Sequence, residues 1–339
     1  MAAAAPCDNR RGWVFSGCMN GQHQAKFRDP VLIDFGVDAS GHGRRLELLG
    51  GVLVDRPLPQ ARDPRRQPAR WRDAGAVYRP APATPAPRHD PSSRGCWEFP
   101  AAVPDPWRVC LPAGSITLSL EVHPAPSGQV GVFLEQAPQW DWLARTTPRG
   151  ARMLSLFAHS GAATLAMAAA GAEVVHVDAS RQAVGLARRN AEASGLAAAP
   201  VRWVCEDAAT FVARELRRGM RFSGVVLDPP SWGHGPRGQA FAIDRDLGPL
   251  VDDVARLLNT DGTLPAGPLL LTCHSPGWPH RRLRQTLLDA CRGAGHSVGS
   301  AEAGPLHCTD ETGRSIELGA YARLDRTAPL PSRPTGPPL

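Results

Sequence analysis

Several signals that would settle function at once are missing from this chain. Its eight cysteines, at positions 7, 18, 96, 110, 205, 273, 291 and 308, include no C-x-x-C pair. That argues against a zinc ribbon or a compact disulfide framework and in favour of intracellular thiols. No metal site is expected. The longest apolar stretch, TLAMAAAGAEVVHV, is broken by Gly171 and Glu173 and falls short of the roughly 20 residues of a membrane span. Residues 1–28 carry no secretory hydrophobic core, although small and basic residues outnumber acids there. A cytoplasmic location is the default expectation, with a mitochondrial or plastid address as the alternative. No internal repeat is visible. The net charge of +6 favours a polyanionic partner such as nucleic acid.

What is present is punctuation. Proline and glycine, 34 of each, crowd the N-terminal part of the chain. Between them lie VLIDFG, RRLELLGGVLV, AVYRP, GCWEF and SITLSLEV, short runs bounded by turn residues as strands are. LPAGSITLSLEV, with Ile116, Leu118, Leu120 and Val122 alternating, predicts part of a hairpin. QARDPRRQPARWRDAG is too polar for a core and reads as a surface loop bearing Arg62, Arg65, Arg66, Arg70 and Arg72. From Arg152 the pattern changes to RMLSLF, AATLAMAAA, AEVVHVD, RQAVGLARRNAEASG, VRWVCED, ATFVARELRRG, FSGVVLD, a helix around LGPLVDDVARLLN, and PLLLTCH. Such alternation predicts a parallel sheet with crossover helices. A further helix, RRLRQTLLDACRGAG, and two closing strands in HSVGSAEAGPLHCTDETGRSIELGAYARL follow. The expected organisation is a flexible segment 1–28, a β-rich region 29–145, an α/β domain 146–326 and a disordered Pro-rich tail 327–339.

In an open α/β sheet ligands bind at the carboxyl ends of the strands, so the residues closing each apolar run carry the information. Here those ends read LFAHSGAAT, HVDAS, CEDAA and LDPPSW. A small-residue turn opening a helix, with an acid about 20 residues on, suits an adenosine-containing cofactor whose ribose donates to that acid, here Asp178. The first loop offers only Gly161, whereas a dinucleotide pyrophosphate needs G-x-G-x-x-G there, so NAD is disfavoured. S-adenosylmethionine has no phosphate and fits better, with Asp178 at the ribose, Asp207 near the adenine and the first loop around the amino-acid part. Any one of these aspartates could simply cap a helix. The order of the four motifs at successive strand ends favours the functional reading.

With these motifs the chain resembles the class I S-adenosylmethionine-dependent methyltransferases, and among them a subgroup related to the bacterial large-subunit ribosomal RNA cytosine-C5 methyltransferases. The resemblance covers about residues 31–325 and rests on RPLPQA, GVFLEQAPQWDW, LFAHSGAATLAMAAAGAEVVHVDAS, ARRNAEASGL and LDPPSWGHGPRG. It implies an α/β fold, a Rossmann-like methyltransferase sheet preceded by a small β-rich region, with S-adenosyl-L-methionine as cofactor and RNA, ribosomal RNA in particular, as partner. It also implies a pocket formed by Phe133, Glu135 and Gln136 with Trp140 beside them, by Phe157, His159, Ser160 and Gly161 of the first loop, and by Asp178, Ser180, Asp207 and Asp228. The first loop departs from the family's usual F-A-Y-T-G-G-A-T: this chain has His159, Ser160 and Ala162, and the missing glycine bears on cofactor affinity.

Methyl transfer from a sulfonium is an in-line displacement that depends above all on alignment. Asp228, Pro229, Pro230 and Trp232 offer a rigid acceptor platform. The prolines fix the backbone, Asp228 can bond a planar nitrogenous acceptor, and Trp232 can stack on a base. The plain alternative is that Pro-Pro ends a strand and Trp232 packs inside. Two chemistries stay open. An exocyclic amine needs no more than this loop, whereas cytosine carbon 5 needs a thiolate to add first to carbon 6, a role for Cys273 unless it is a packed, inert thiol. Two other classes compete. Ser160, an aspartate and His274 follow the chain order of an α/β-hydrolase triad, although both glycines of G-x-S-x-G are alanine here. The altered first loop and the arginines of 62–72 and 214–221 also suit an RNA binder without turnover, and a protein or small-molecule acceptor stays open.

Overall fold

The computed structural model describes residues 30–80, 95–234, 240–299 and 301–326; the segments expected at 1–28 and 327–339 lie outside the described residues. Three strands, β1 (Val31–Val37), β2 (Gly43–Leu49) and β3 (Val52–Pro57), form an antiparallel meander. Its second turn consists of Gly50 and Gly51, both at positive φ, 56° and 85°. A two-residue hairpin matched to the strand twist requires that conformation, which a Cβ resists. A single 3-10 turn, Arg70–Asp73, buries Trp71 and leads into β4 (Ala76–Arg79), parallel to β3, with β5 (Cys96–Glu98) at the far edge. The predicted hairpin is β6 (Arg108–Ala113) with β7 (Ile116–Glu121), and Val109, Leu111, Leu118 and Leu120 are its buried faces.

A short 3-10 turn, Leu134–Gln136, runs directly into α1 (Ala137–Thr146), with proline in its first turn where the missing N–H is harmless. The sequence reading places no helix here. Its buried residues, Gln139, Trp140, Trp142 and Leu143, include a polar one and are too few to set up a clear 3.6-residue period.

Beyond this point strands and helices alternate as predicted: β8 (Arg152–Leu156), α2 (Ala162–Ala169), β9 (Glu173–Asp178), α3 (Arg181–Ala193), β10 (Val201–Cys205), α4 (Ala208–Arg217) and β11 (Gly224–Leu227). A small hairpin, β12 (Trp232–His234) and β13 (Ala240–Ala242), precedes α5 (Ile243–Leu257), β14 (Leu269–Cys273) and α6 (His280–Gly293). The antiparallel pair β15 (Glu302–Thr309) and β16 (Ser315–Leu324) closes the fold. The seven-stranded sheet has the order β10-β9-β8-β11-β14-β16-β15, with β16 antiparallel to β14. Strands β11 and β14 are buried along their whole length, as continuous apolar runs covered on both faces should be. One face packs on α4, α5 and α6 through Phe211, Leu247 and Leu287; the other packs on α1, α2 and the β6–β7 hairpin through Leu143, Leu165 and Leu120. The chain winds outward from β8 to β10 and resumes on the other side of β8 at β11, so the topological switch point lies between β8 and β11, where such sheets bind ligands.

Candidate functional site

A cavity of about 450 Å³ opens at this switch point, walled by the carboxyl ends of β8, β9, β10 and β11. The loop after β8 turns left-handed three times, at Phe157 (φ 54°), His159 (φ 43°) and Gly161 (φ 84°). Glycine is required at the last: a Cβ on Gly161 would stand 2.8 Å from the Cβ of Ala187 in α3. The other two are costly for residues with side chains and must be held by their surroundings. The His159 N–H donates to Asp178 Oδ2 at 2.9 Å, and the Ser160 carbonyl accepts from Asn190 Nδ2 at 2.8 Å. Phe157 packs on Phe241, centroids 5.3 Å apart.

Asp178 ends β9. Its Oδ1 accepts from the Ser180 N–H at 2.8 Å, so each oxygen has one backbone donor and keeps a lone pair for another. Ser180 caps α3, its hydroxyl accepting from Ala183 N–H at 3.2 Å, while Asp207 caps α4 by accepting from the Thr210 N–H and hydroxyl at 2.8 and 2.9 Å. Of the aspartates that could cap a helix, Asp207 does so and Asp178 leaves that place to Ser180; Asp178, Ser180 and Asp207 all line the cavity.

Asp228 follows β11. Its Oδ1 accepts from Thr272 Oγ1 at 2.7 Å and its Oδ2 from Gln136 Nε2 at 3.2 Å. His274 Nδ1 stands 3.5 Å from Oδ1, and the other ring nitrogen is 3.1 Å from Glu135 Oε1. Partial burial works against charge on His274, but Asp228 and Glu135 on either side outweigh it and push its pKa up to about 10. The ring is an imidazolium at neutral pH. Glu135 is 3% exposed; burial alone would raise its pKa, yet His274 and Arg45 hold it below the usual carboxylate range. Phe133 packs between His159 and His274, at centroid distances of 5.7 and 6.1 Å. A smaller recess joins Phe133, Gln136 and Trp140 to Ser160 and Asp228.

The cavity suits S-adenosylmethionine. Asp178, Glu206, Asp207 and Asp228 make its walls acidic, matching a sulfonium cation, and Phe157, Val177, Ala208 and Phe241 give apolar surface for a purine.

Cys273 does not line this cavity, which favours the packed thiol over the nucleophile of its two readings. It is 1% exposed and packs into the core beneath α5 and α6. Successive strand residues face opposite sides, and Thr272 is the one that reaches Asp228. The Cys273 sulfur accepts from the Ser275 N–H at 3.3 Å, and burial pushes the thiol pKa up, the reverse of nucleophile activation. The hydrolase triad is not assembled either: Ser160 is 5% exposed, and both nitrogens of His274 are committed to carboxylates. Pro229 and Pro230 line the cavity, and Trp232 stands beside it, 50% exposed rather than packed inside.

The arginine-rich segment serves largely as a structural tie. Arg65 stacks on Trp71 at 3.6 Å, and Arg66 and Arg70 reach Thr312 and Glu311 of the β15–β16 turn at 3.4 and 3.3 Å. Arg314 of that turn answers by donating to Asp34 and to the Phe35 and Pro64 carbonyls. In α4, Arg214 pairs with Glu206 and Glu215, and Arg218 with Glu215.

Thr272, Glu206, Phe241 and the double engagement of His274 escaped the sequence reading. A signal for two of them existed: in TCH, Thr272 and His274 flank the cysteine, and strand alternation puts residues i and i+2 on one face. Among the described residues no His, Cys, Asp and Glu group is arranged to hold a metal ion, and no helix is long and apolar enough to cross a membrane.

The chain resembles known proteins. Residues 137–234 match the family described as Conserved hypothetical protein 95. The chain is 32% identical over 120 residues to ribosomal RNA large subunit methyltransferase K of Neisseria meningitidis, covering 35% of this chain and 34% of that protein. It is 26% identical over 206 residues to ribosomal RNA large subunit methyltransferase I of Yersinia pseudotuberculosis, covering 60% and 48%. The chain thus spans about a third to a half of the length of these curated relatives. The crystal structure of the SAM-dependent methyltransferase from Agrobacterium tumefaciens superposes with a TM-score of 0.74 at 32% identity, over 88% of this chain and 90% of that one.

Proposed function

Because the chain belongs to the S-adenosylmethionine-dependent methyltransferases, sharing 32% identity over 90% of the Agrobacterium enzyme, we propose that it methylates a nitrogen on a base of RNA, with large-subunit ribosomal RNA as the substrate. The observation that carries this reading is the Asp228-Pro229-Pro230 turn on the cavity wall, with Cys273 on the opposite face of its strand. The names of the Neisseria and Yersinia relatives support a ribosomal RNA acceptor, as does the positive net charge of this chain.

S-adenosylmethionine supplies a methyl group activated by a sulfonium. Asp178 takes the ribose hydroxyls on the lone pairs its backbone donors leave open, and the loop from Phe157 to Gly161 holds the amino-acid part. Asp228 has Thr272 and His274 at Oδ1 and Gln136 at Oδ2, which leaves Oδ2 one lone pair for an amine N–H of the base. That bond would turn the nitrogen lone pair toward the methyl group; as the N–C bond formed, the S–C bond of the sulfonium would break to release S-adenosylhomocysteine, and the Asp228 carboxylate would accept the proton that the nitrogen loses. Pro229 and Pro230 keep the carboxylate from swinging away, so alignment costs little at the moment of reaction. Trp232 provides a face on which the base can stack outside the cavity.

The test is an unmodified transcript of large-subunit ribosomal RNA incubated with methyl-labelled S-adenosylmethionine, digested to nucleosides and resolved by mass. A base methylated on nitrogen is the expected product. Label on carbon 5 of cytosine, or label only in protein, overturns the assignment.

A further inference from the structure

We infer that His274 is a positioning residue, a cationic clamp by which buried Glu135 of the β-rich side fixes the Asp228 carboxylate that receives the acceptor. The inference rests on the acceptor role given above to Asp228 and deepens it.

The geometry has three parts. First, the ring lies between two carboxylates, 3.1 Å from Glu135 Oε1 and 3.5 Å from Asp228 Oδ1, through opposite nitrogens. A neutral imidazole has one N–H and would turn a bare lone pair toward one of the two acids; only the doubly protonated ring satisfies both. Second, Glu135 cannot turn away to find water. It is 3% exposed, its Oε2 has no hydrogen-bond partner among the described residues, and its chain position is fixed by the 3-10 turn leading into α1. A buried carboxylate in that state needs its cation. Third, the same turn supplies Gln136, which donates to the other oxygen of Asp228. Both Asp228 oxygens are therefore fixed from the β-rich side, Oδ2 directly and Oδ1 through His274.

The charged and titratable groups around His274 support the cation. Asp228 faces it from the loop after β11 and Glu135 from the 3-10 turn, Cys273 precedes it in the chain, and Arg45 acts on Glu135 from β2. The ring stays protonated to about pH 10. The clamp is therefore closed at neutral pH and opens on the alkaline side, when the imidazolium loses its proton.

Two readouts test the clamp. Imidazole-labelled protein is titrated by NMR as wild type, Glu135→Gln and Asp228→Asn; the isosteric replacements spare packing, and S-adenosylhomocysteine binding verifies that each is folded. The His274 resonance should titrate far above the usual histidine range in wild type and move down in both variants. A wild-type titration near the ordinary histidine value, or one that neither variant shifts, overturns the clamp. The second readout is methyl transfer to the unmodified large-subunit transcript. Glu135→Gln should lose on the order of 10-fold in kcat, the effect of breaking one charge-assisted hydrogen bond. S-adenosylhomocysteine affinity should be unchanged, and the alkaline limb of its pH profile should fall to lower pH. A profile superimposable on wild type refutes the positioning role, because a purely structural lesion scales activity without moving that limb. Failure of wild type to methylate the transcript strikes the acceptor assignment instead, and the NMR titration still decides the clamp.

Discussion

Replacing Cys273 with alanine separates the two chemistries that the sequence left open. The substitution removes one sulfur from a site that is 1% exposed, together with the hydrogen bond it accepts from the Ser275 N–H at 3.3 Å. Deleting a buried group of this size costs roughly 0.5–1.5 kcal/mol, and a neutral hydrogen bond to sulfur adds at most about 1 kcal/mol. The variant should therefore be less stable by about 1–2 kcal/mol, read as a lower urea midpoint at unchanged slope. Its kcat on the ribosomal transcript should stay within about twofold of wild type, since nothing in the cavity has changed. RNA carrying 5-fluorocytosine should form no covalent complex with the wild-type enzyme, because trapping requires a thiolate at carbon 6. Refutation takes either of two forms: activity abolished in a variant whose urea curve shows native cooperativity, or a trapped adduct with wild type.

Asp178→Ala removes the acceptor for the His159 and Ser180 N–H groups as well as for the ribose, so calorimetry should show S-adenosylhomocysteine binding weakened about tenfold or more; unchanged affinity would falsify the ribose assignment. Asp228→Ala should leave that affinity within a few-fold of wild type while transfer falls by about two orders of magnitude or more, on the order of 3 kcal/mol of transition-state stabilisation, and turnover near the wild-type rate would remove Asp228 from the mechanism. His176 is buried, Thr164 Oγ1 lies 3.0 Å from its Nδ1, and burial drives its pKa down to about 3. Its folded pKa lies below the unfolded value, so the unfolded chain binds the proton first and stability, full above about pH 6.5, declines as pH falls. Urea titrations of wild type should therefore lose about 2 kcal/mol more between pH 7 and pH 5 than those of His176→Gln; equal losses would show that His176 contributes nothing.

The sequence reading was strongest where the chain's own physics is local. Parallel strands covered on both faces are continuous apolar runs, so FSGVVLD and PLLLTCH could be placed as strands, and the alternation of strand and helix around them put the acids closing β9, β10 and β11 at one edge of one sheet. Asp178, Asp207 and Asp228 were legible for that reason. The two readings of Cys273 stay open in the sequence until strand alternation is applied, which turns it away from the face that Thr272 shares with Asp228. The pairing of Glu135 with His274 spans 139 residues, and no local pattern encodes a contact made by packing two regions together. The same applies to the arginine segment, whose partners Glu311 and Thr312 occupy a turn that looks like ordinary surface in the sequence. Helix α1 gave little signal because only four of its residues are buried and one of them, Gln139, is polar.

The bond between Asp34 and Arg314 has a consequence for how the protein is made. Asp34 is fully buried in β1, and its ion-pair partner is translated 280 residues later. At about 5–20 residues per second, a ribosome leaves that carboxylate without its cation for roughly 15–55 s. Trp71, Arg66 and Gln67 can donate to it in the meantime, but neutralisation waits for the β15–β16 turn to emerge and fold back across the first sheet. Loop closure over such a distance comes late in folding. Until then β1 holds a buried carboxylate without its cation, so the first sheet reaches its full stability only once the last strand pair of the chain has been made.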